Sequence, residues 1–465
     1  MTEAHTIGEL RRAEYRVQPI KAELRRNLIR KLQGGEALFP GIVGYEGSVI
    51  PQLENAILAG QDIVLLGERG QAKSRLVRSL TSLLDEAVPA IAGCEINDNP
   101  YSPVCRRCRD MVAEMGDEIP LTWLHAEDRY GEKLATPDTS IADLIGEVDP
   151  IRVAEGRYLS DELVIHYGLV PRTNRGIFAI NELPDLAERI QVGLLNIIEE
   201  RDVQIRGFRI RLPLDVFVVA TANPEDYTNR GRIITPLKDR FGAQVRTHYP
   251  RSIEHEIAIA EQERVVFEEM PVPVQVPQHM KEIVVEITHL ARRHPQVNQR
   301  SGVSVRVTTA NYESLASSAL RRALVTGEKE AVARVSDLVA VTPSTAGKVE
   351  LDTWEDADDD QVLDKIVRTA CSNVFRRHFS VQELSELVQR FERGGFTVEV
   401  GPLMTADSYH SALDELPGLD RARQKLGEPA TPQAMAAVLE FVLEGMHLNK
   451  RLNKTALEST SVYGG

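Results

Sequence analysis

The stretch IVLLGERGQAKS, residues 63–74, decides the fold. Four apolar residues, Ile63 to Leu66, run directly into Gly67-Glu68-Arg69-Gly70-Gln71-Ala72-Lys73-Ser74, and a helical pattern follows. A short apolar run closed by glycine fits a strand buried on both faces. A glycine-bearing loop between such a strand and a helix N-terminus is the setting of a phosphate-binding loop. There the backbone N–H groups of the loop and first helical turn cradle phosphate oxygens, with help from the helix dipole. Lys73 would reach the β- and γ-phosphates and Ser74 would ligate Mg²⁺. The residue before the lysine is ordinarily glycine and is Ala72 here; its methyl is expected to require a negative φ.

Two further apolar runs end in polar residues. Ile177–Ile180 leads into Asn181 and Glu182, and Val216–Ala220 leads into Thr221, Ala222 and Asn223. Ligands of open α/β sheets bind at the carboxyl ends of the strands, where these groups would sit. Glu182 is placed to polarise an attacking water as general base. Asn181 stands where an aspartate normally orients the water ligands of Mg²⁺. Asn223 can hold the water or a γ-phosphate oxygen without adding negative charge. Strands of this kind joined by helical crossovers give the class α/β.

Composition bounds the rest. The chain has 465 residues, too many for one core, and Lys+Arg 55 against Asp+Glu 69 gives a net charge of -14. That sign gives no nucleic-acid signal, because phosphate binding needs a basic surplus. Arg25, Arg26, Arg30 and Lys31 read as the solvated face of an amphipathic helix. No apolar run approaches the ~20 residues of a membrane span, and MTEAHTIGELRRAEYR lacks the apolar core of a secretory signal. The expectation is a soluble, cytoplasmic protein without membrane insertion.

Residues 1–40 read as a helical lead-in with Leu10, Ile20, Leu24, Leu28 and Leu32 on its apolar face, ended by Phe39-Pro40-Gly41. Residues 41–250 hold the α/β nucleotide-binding domain with insertions, and 251–348 look helical throughout. Residues 349–465 begin with the acidic stretch Asp352–Asp360, continue as a helical extension, and end in ESTSVYGG, a tail expected to fray. From Lys73 to Asn181 is a step of 108 positions, more than one helix, one strand and short connections require. Alternating apolar residues around Gly207, from Arg201 to Leu212, predict a hairpin.

The motifs GERGQAKS, GIFAINE, VVATANPE, LKDRFG and SGVSVR stand in an order that resembles the AAA+ ATPases, in the branch holding MoxR-type ATPases and the magnesium-chelatase ATPase subunit. The resemblance covers roughly residues 40–345, and alanine before the loop lysine is common in MoxR-type members. It implies a P-loop AAA+ parallel sheet flanked by helices, an α-helical lid and a C-terminal helical extension. Gly67 to Ser74 would form Walker A, and Asn181 with Glu182 would form Walker B. Asn223 would be sensor 1, Arg240 the arginine finger reaching a neighbouring subunit's nucleotide, and Arg306 sensor 2. Val43, Gly44 and Tyr45 would lie near the adenine. The resemblance also implies ATP and Mg²⁺, a homo-oligomeric ring, commonly a hexamer, and a helix-2 insertion within residues 135–172. It places the 201–212 hairpin near the ring's pore. The implied function is an ATP-hydrolysing ring that remodels or activates a protein partner, such as one with a von Willebrand A-type domain. Three other readings stay open: a nucleotide-gated scaffold with slow or no hydrolysis, the ATPase subunit of a metal chelatase, and a sigma-54-type transcriptional activator. The last lacks a GAFTGA-like loop and a helix-turn-helix in this sequence.

Cys94, Cys105 and Cys108 form C-x10-C-x2-C, followed by His125. Three thiolates and an imidazole suit tetrahedral Zn²⁺; partly buried ordinary thiols and redox chemistry are the other readings. Cys371 reads as a core residue.

Overall fold

The computed structural model describes residues 4–149, 151, 154, 162–199, 202–203, 212–223, 231–298, 302–351, 359–393, 395–457 and 460–465. The chain divides into two compact units, Met1–His248 and Tyr249–Gly465.

The first unit is built on a five-stranded sheet whose order is Ala243–Arg246, Ile63–Leu66, Val216–Ala222, Gly176–Asn181, Tyr130–Leu134. Every neighbouring pair is parallel. The three inner strands are buried at every residue, which is why each reads as a continuous apolar run. Side chains alternate between two cores, as a pleat of period two demands. Val64, Leu66, Phe178, Ile180 and Val218 face one core; Ile63, Leu65, Ile177, Ala179, Phe217 and Val219 face the other. Helix Glu188–Glu199 covers the first core with Ile190, Leu194 and Ile197. Helices Ile20–Gly34 and Val49–Leu58 cover the second. The sheet is thus an α/β parallel sheet with helices on both faces.

The lead-in differs from expectation. It is two helices, Ile7–Arg12 and Ile20–Gly34, separated by a segment that ends in Pro19, and Leu32 is exposed rather than packed. Pro19 caps the second helix because it lacks an N–H to continue a preceding one. Arg25, Arg26 and Arg30 do face solvent. Two residues before Arg25, the buried carboxylate of Glu23 takes both terminal nitrogens of buried Arg129, at 2.8 and 2.7 Å, and also accepts the Asp85 N–H at 2.7 Å. This pair ties the helix to the turn that starts the edge strand Tyr130–Leu134.

The extra length between Lys73 and Asn181 goes into two antiparallel pairs. Ala87–Ile91 pairs with Leu121–His125, and Gly146–Val148 pairs with Ile165–Tyr167. Of the 201–212 hairpin, the described part is Asp202–Val203 paired with Leu212–Pro213. The rest of that hairpin, most of the acidic stretch, and Ser301 lie outside the described residues.

In the second unit a single core takes residues from both Met280–Val341 and Val362–Tyr463. Helix Pro432–Leu448 runs through it, buried on nearly every face. Gly445 is needed there, because a Cβ would sit 2.0 Å from the Phe375 ring. The expected all-helical run over 251–348 is interrupted by a parallel pair, Val274–Gln275 with Ala331–Val332. The described part of the C-terminal tail, 460–465, is ordered into a sheet rather than frayed. Ser461–Gly464 is the middle strand between Val398–Val400 and Asn453–Ala456, with Tyr463 buried and its hydroxyl donating to Glu444. Among the described residues no helix is long and apolar enough to cross a membrane.

Breaking one side of a buried ion pair leaves the other charge unmatched, at a cost of about 3–5 kcal/mol. Glu23→Gln is therefore expected to lower the stability of the first unit by that order in urea unfolding. The paired change Glu23→Leu with Arg129→Met is expected to cost clearly less. Equal losses for the single and double variants would show that the pair is not what holds the helix.

Candidate functional site

The carboxyl ends of the inner strands converge on the loop Gly67–Ala72. The Gly67 N–H donates to Ala222 O at 3.1 Å, stitching the loop's first residue to the neighbouring strand. A side chain is impossible at Gly67: a Cβ would lie 1.8 Å from Thr247 Oγ1 and 2.3 Å from Gln71 Oε1. The Gln71 Oε1 atom accepts from the Glu68 N–H at 3.1 Å and from Thr247 Oγ1 at 2.7 Å, which fixes the loop's curl from inside. Gly70 and Ala72 both have positive φ, 76° and 54°. The negative φ expected at Ala72 is thus overturned: the residue is left-handed, with ψ 18°, and its methyl is carried in a region that favours glycine. Left-handed residues within a loop turn successive N–H groups toward one concavity. The N–H groups of Gly70, Gln71, Ala72 and Ser74 find no acceptor among the described residues. They are donors suited to an anion.

Lys73 opens the helix Lys73–Ser79 and is 7% exposed. Its ammonium donates to Gly67 O, to Glu68 O at 2.8 Å, and to Asn223 Oδ1 at 2.7 Å. Asn223 in turn donates through Nδ2 to Glu182 Oε2 at 2.7 Å. Lys73, Asn223 and Glu182, singled out from separate stretches of sequence, are therefore joined by direct hydrogen bonds. Glu182 follows its strand in a left-handed turn, φ 56°, and its N–H donates to Thr221 Oγ1 at 3.1 Å. Ser74, the second helical residue, is half-buried, and Glu68 and Arg69 lie at the loop's solvent side.

Asn181 reveals a group that the sequence reading missed. Its Nδ2 donates to Glu132 Oε1 at 2.5 Å, and its Oδ1 accepts from Thr221 Oγ1 at 3.3 Å. Glu132 comes from the edge strand Tyr130–Leu134 and is gripped by Arg78 of the loop's own helix, at 2.8 and 3.0 Å. The Arg78 guanidinium holds the Glu132 carboxyl below the usual carboxylate range, against a smaller opposing effect of burial. The carboxylate that an aspartate at position 181 would bring to this end of the site arrives instead from the adjacent strand. The signal for it was faint, a glutamate inside an edge strand of mixed polarity.

The remaining expected residues are placed as follows. Val43 is half-buried, Gly44 has φ 83°, and the buried Tyr45 hydroxyl lies 2.9 Å from Gln71 O and 2.7 Å from His248 O. Burial pushes the Tyr45 phenol up to about 12. Arg240 ends helix Thr235–Arg240, where its Nη1 donates to Pro236 O at 2.9 Å. Arg306 belongs to the second unit, exposed at the second position of helix Val305–Thr326.

The cysteines cluster, but without His125. The Cys94, Cys105 and Cys108 sulfurs and an Asp98 carboxylate oxygen lie within 4.8 Å of one another. His125 is exposed at the end of its strand, opposite Ala87, and is outside that group. Cys371 is buried in the core of the second unit, and burial pushes its thiol up.

No family model matches the chain. It is 28% identical over 234 residues to the magnesium-chelatase 38 kDa subunit of Cereibacter sphaeroides, across 48% of this chain and 61% of that protein. It is 27% identical over 246 residues to the magnesium-chelatase subunit ChlI of a Nostoc species, across 50% of this chain and 60% of that one. The match thus spans about three-fifths of these relatives' length. Among solved structures, a complex of the magnesium-chelatase subunits BchI and BchD aligns with a TM-score of 0.36 and 21% identity, over 67% of this chain and 96% of that one.

A left-handed alanine costs on the order of 1–2 kcal/mol that glycine avoids, partly offset by glycine's larger unfolded-state entropy. Ala72→Gly is expected to raise the melting temperature of the nucleotide-free chain by a few degrees. A lowered melting temperature would contradict the loop conformation described.

Proposed function

We propose that this relative of the magnesium-chelatase subunits is an ATP-hydrolysing AAA+ ring protein that remodels or activates a protein partner. The observation that carries the reading is the run of hydrogen bonds from Lys73 through Asn223 to Glu182, set beside loop N–H groups that find no acceptor among the described residues. A cation, a polar relay and a carboxylate at the ends of parallel strands are the parts that phosphoryl transfer to water requires.

In this reading the N–H groups of Gly70, Gln71, Ala72 and Ser74 hold phosphate oxygens, and Lys73 exchanges its loop carbonyls for the β- and γ-phosphates. The exchange costs little, because an ammonium already partnered by oxygens keeps oxygen partners throughout. Mg²⁺, when bound with ATP, neutralises charge on the β- and γ-phosphate oxygens. Ser74 offers it a hydroxyl, and Asn181 and Glu132 together offer one amide oxygen and one carboxylate, a hard oxygen set suited to that ion. Glu182 takes the proton of the attacking water, and Asn223 aims its carboxylate. Arg240 serves a neighbouring subunit's nucleotide, Arg306 acts as sensor 2, and Val43, Gly44 and Tyr45 border the adenine. The ring is a homo-oligomer, a hexamer by the same resemblance, and its partner carries a von Willebrand A-type domain. The names of the relatives favour a second reading on the same chemistry, the ATPase subunit of a metal chelatase.

Steady-state ATPase of the full chain tests this. Glu182→Gln is expected to lose about 10²–10⁴ in turnover while still binding ATP. Arg240→Ala is expected to bind ATP and lose on the order of 10³ or more. An assembled wild-type chain that binds ATP without turning it over would replace the motor by the nucleotide-gated scaffold.

A Mg²⁺ titration of the same activity tests the carboxylate relay. Glu132→Gln should raise the half-maximal Mg²⁺ concentration. Asn181→Asp should lower it, because two facing carboxylates repel until a cation joins them. Unchanged Mg²⁺ dependence in both variants would remove Asn181 and Glu132 from the metal's surroundings.

A further inference from the structure

The cysteine cluster stands apart from the nucleotide chemistry and has its own construction. Cys94 lies in the turn after strand Ala87–Ile91, its N–H donating to Ile91 O at 3.2 Å. Four residues on, the Asp98 N–H donates to Cys94 Sγ at 3.4 Å, with Asn97 between them in a left-handed conformation, φ 53°. Cys105 caps the helix Arg106–Met115, and its Sγ accepts from the Cys108 N–H at 3.4 Å. A loop and a helix N-terminus thus each present two donor atoms, Cys94 with Asp98 and Cys105 with Cys108. Backbone N–H groups point at two of the sulfurs, where they would stabilise thiolate charge.

Asp98 is the decisive member. Its side chain is fully buried, its Oδ1 accepts from the Val104 N–H at 3.1 Å and its Oδ2 from the Cys105 N–H at 3.0 Å. Among the described residues no basic side chain pairs with it. A buried carboxylate without a cation is costly, and here it faces three sulfurs rather than a lysine or arginine. The backbone bonds leave a lone pair on each oxygen, so the carboxylate can be oriented and still ligate.

We propose that Cys94, Asp98, Cys105 and Cys108 form a closed, structural zinc site. Ligand atoms around a tetrahedral zinc at about 2.3 Å are about 3.8 Å apart, and the four here already lie within 4.8 Å of one another. Small rotations of side chains complete the tetrahedron. Three thiolates and one carboxylate match zinc's borderline softness better than they match magnesium or calcium, which take oxygen sets. All four positions are protein ligands, so the ion holds structure and offers no place to a substrate. It pins the loop Ala92–Val104 between strand Ala87–Ile91 and helix Arg106–Met115, beside the core contacts that Ile96, Tyr101 and Val104 already make.

Elemental analysis of the full chain, purified from zinc-supplemented cells without chelator, is expected to give about one zinc per chain. His125→Ala should keep it, whereas Cys105→Ser and Asp98→Ala should lose it. Where those variants fail to fold, Co²⁺ added to the chelator-stripped wild type provides the second readout: thiolate-to-cobalt charge-transfer bands with intense tetrahedral d–d absorption. Metal-free wild type whose Co²⁺ spectrum is weak and octahedral would overturn the proposal in favour of ordinary thiols. Stoichiometric iron in place of zinc would overturn the choice of metal, and loss of metal in His125→Ala with retention in Asp98→Ala would overturn the ligand set.

Discussion

A buried ammonium sets the terms for the first unit. Lys73 sits almost wholly out of water, and a desolvated cation must be surrounded by oxygens. Its partners come from two places in the chain: the loop carbonyls of Gly67 and Glu68, and the side chain at the end of strand Val216–Ala222. That demand fits a loop that curls back over its own helix, while Gln71 and Thr247 brace the curl from within and crowd any side chain at Gly67. It also explains why an amide rather than an acid stands at Asn223. The amide oxygen meets Lys73 while its nitrogen meets Glu182, so one neutral side chain spaces a cation from a carboxylate that would otherwise close on it.

The neighbouring strand end solves a related problem differently. Asn181 carries no charge, yet the carboxylate of Glu132 lies against it, held by Arg78 from the helix that follows the loop. Negative charge at this end of the sheet has moved one strand outward rather than disappeared. Because Arg78 and Lys73 stand on one helix, the carboxylate is tied to the same element that carries the loop lysine.

What the sequence disclosed, and what it concealed, follows from burial. Ile63–Leu66, Ile177–Ile180 and Val216–Ala220 are legible because helices cover both faces of the sheet there, so every residue is apolar. The edge strands Tyr130–Leu134 and Ala243–Arg246 are not, because a strand with one open edge tolerates Glu132, Lys133 and Gln244. Glu132 was hidden for that reason. The tail looked frayed because its small and polar residues carry no apolar run, although it pairs with a strand on each side and buries Tyr463. His125 seemed the natural fourth companion to the cysteines by residue type. The chain supplies Asp98 instead, whose N–H already contacts Cys94, and a carboxylate so near a cysteine has little signature in a linear sequence. Ala72 shows the opposite limit: the residue was legible, but its φ is set by the lysine it delivers and not by its own preference.

The most direct test of the central claim is a single-turnover experiment on the assembled full chain loaded with radiolabelled ATP and Mg²⁺, then chased with unlabelled ATP. The account predicts that wild type converts most of the bound label to ADP before releasing it. It also predicts that Glu182→Gln and Asn223→Ala retain the label and release it as intact ATP. Conversion at the wild-type rate in Glu182→Gln would contradict the account, because the carboxylate at the end of the Lys73–Asn223–Glu182 line would then have no part in the chemistry.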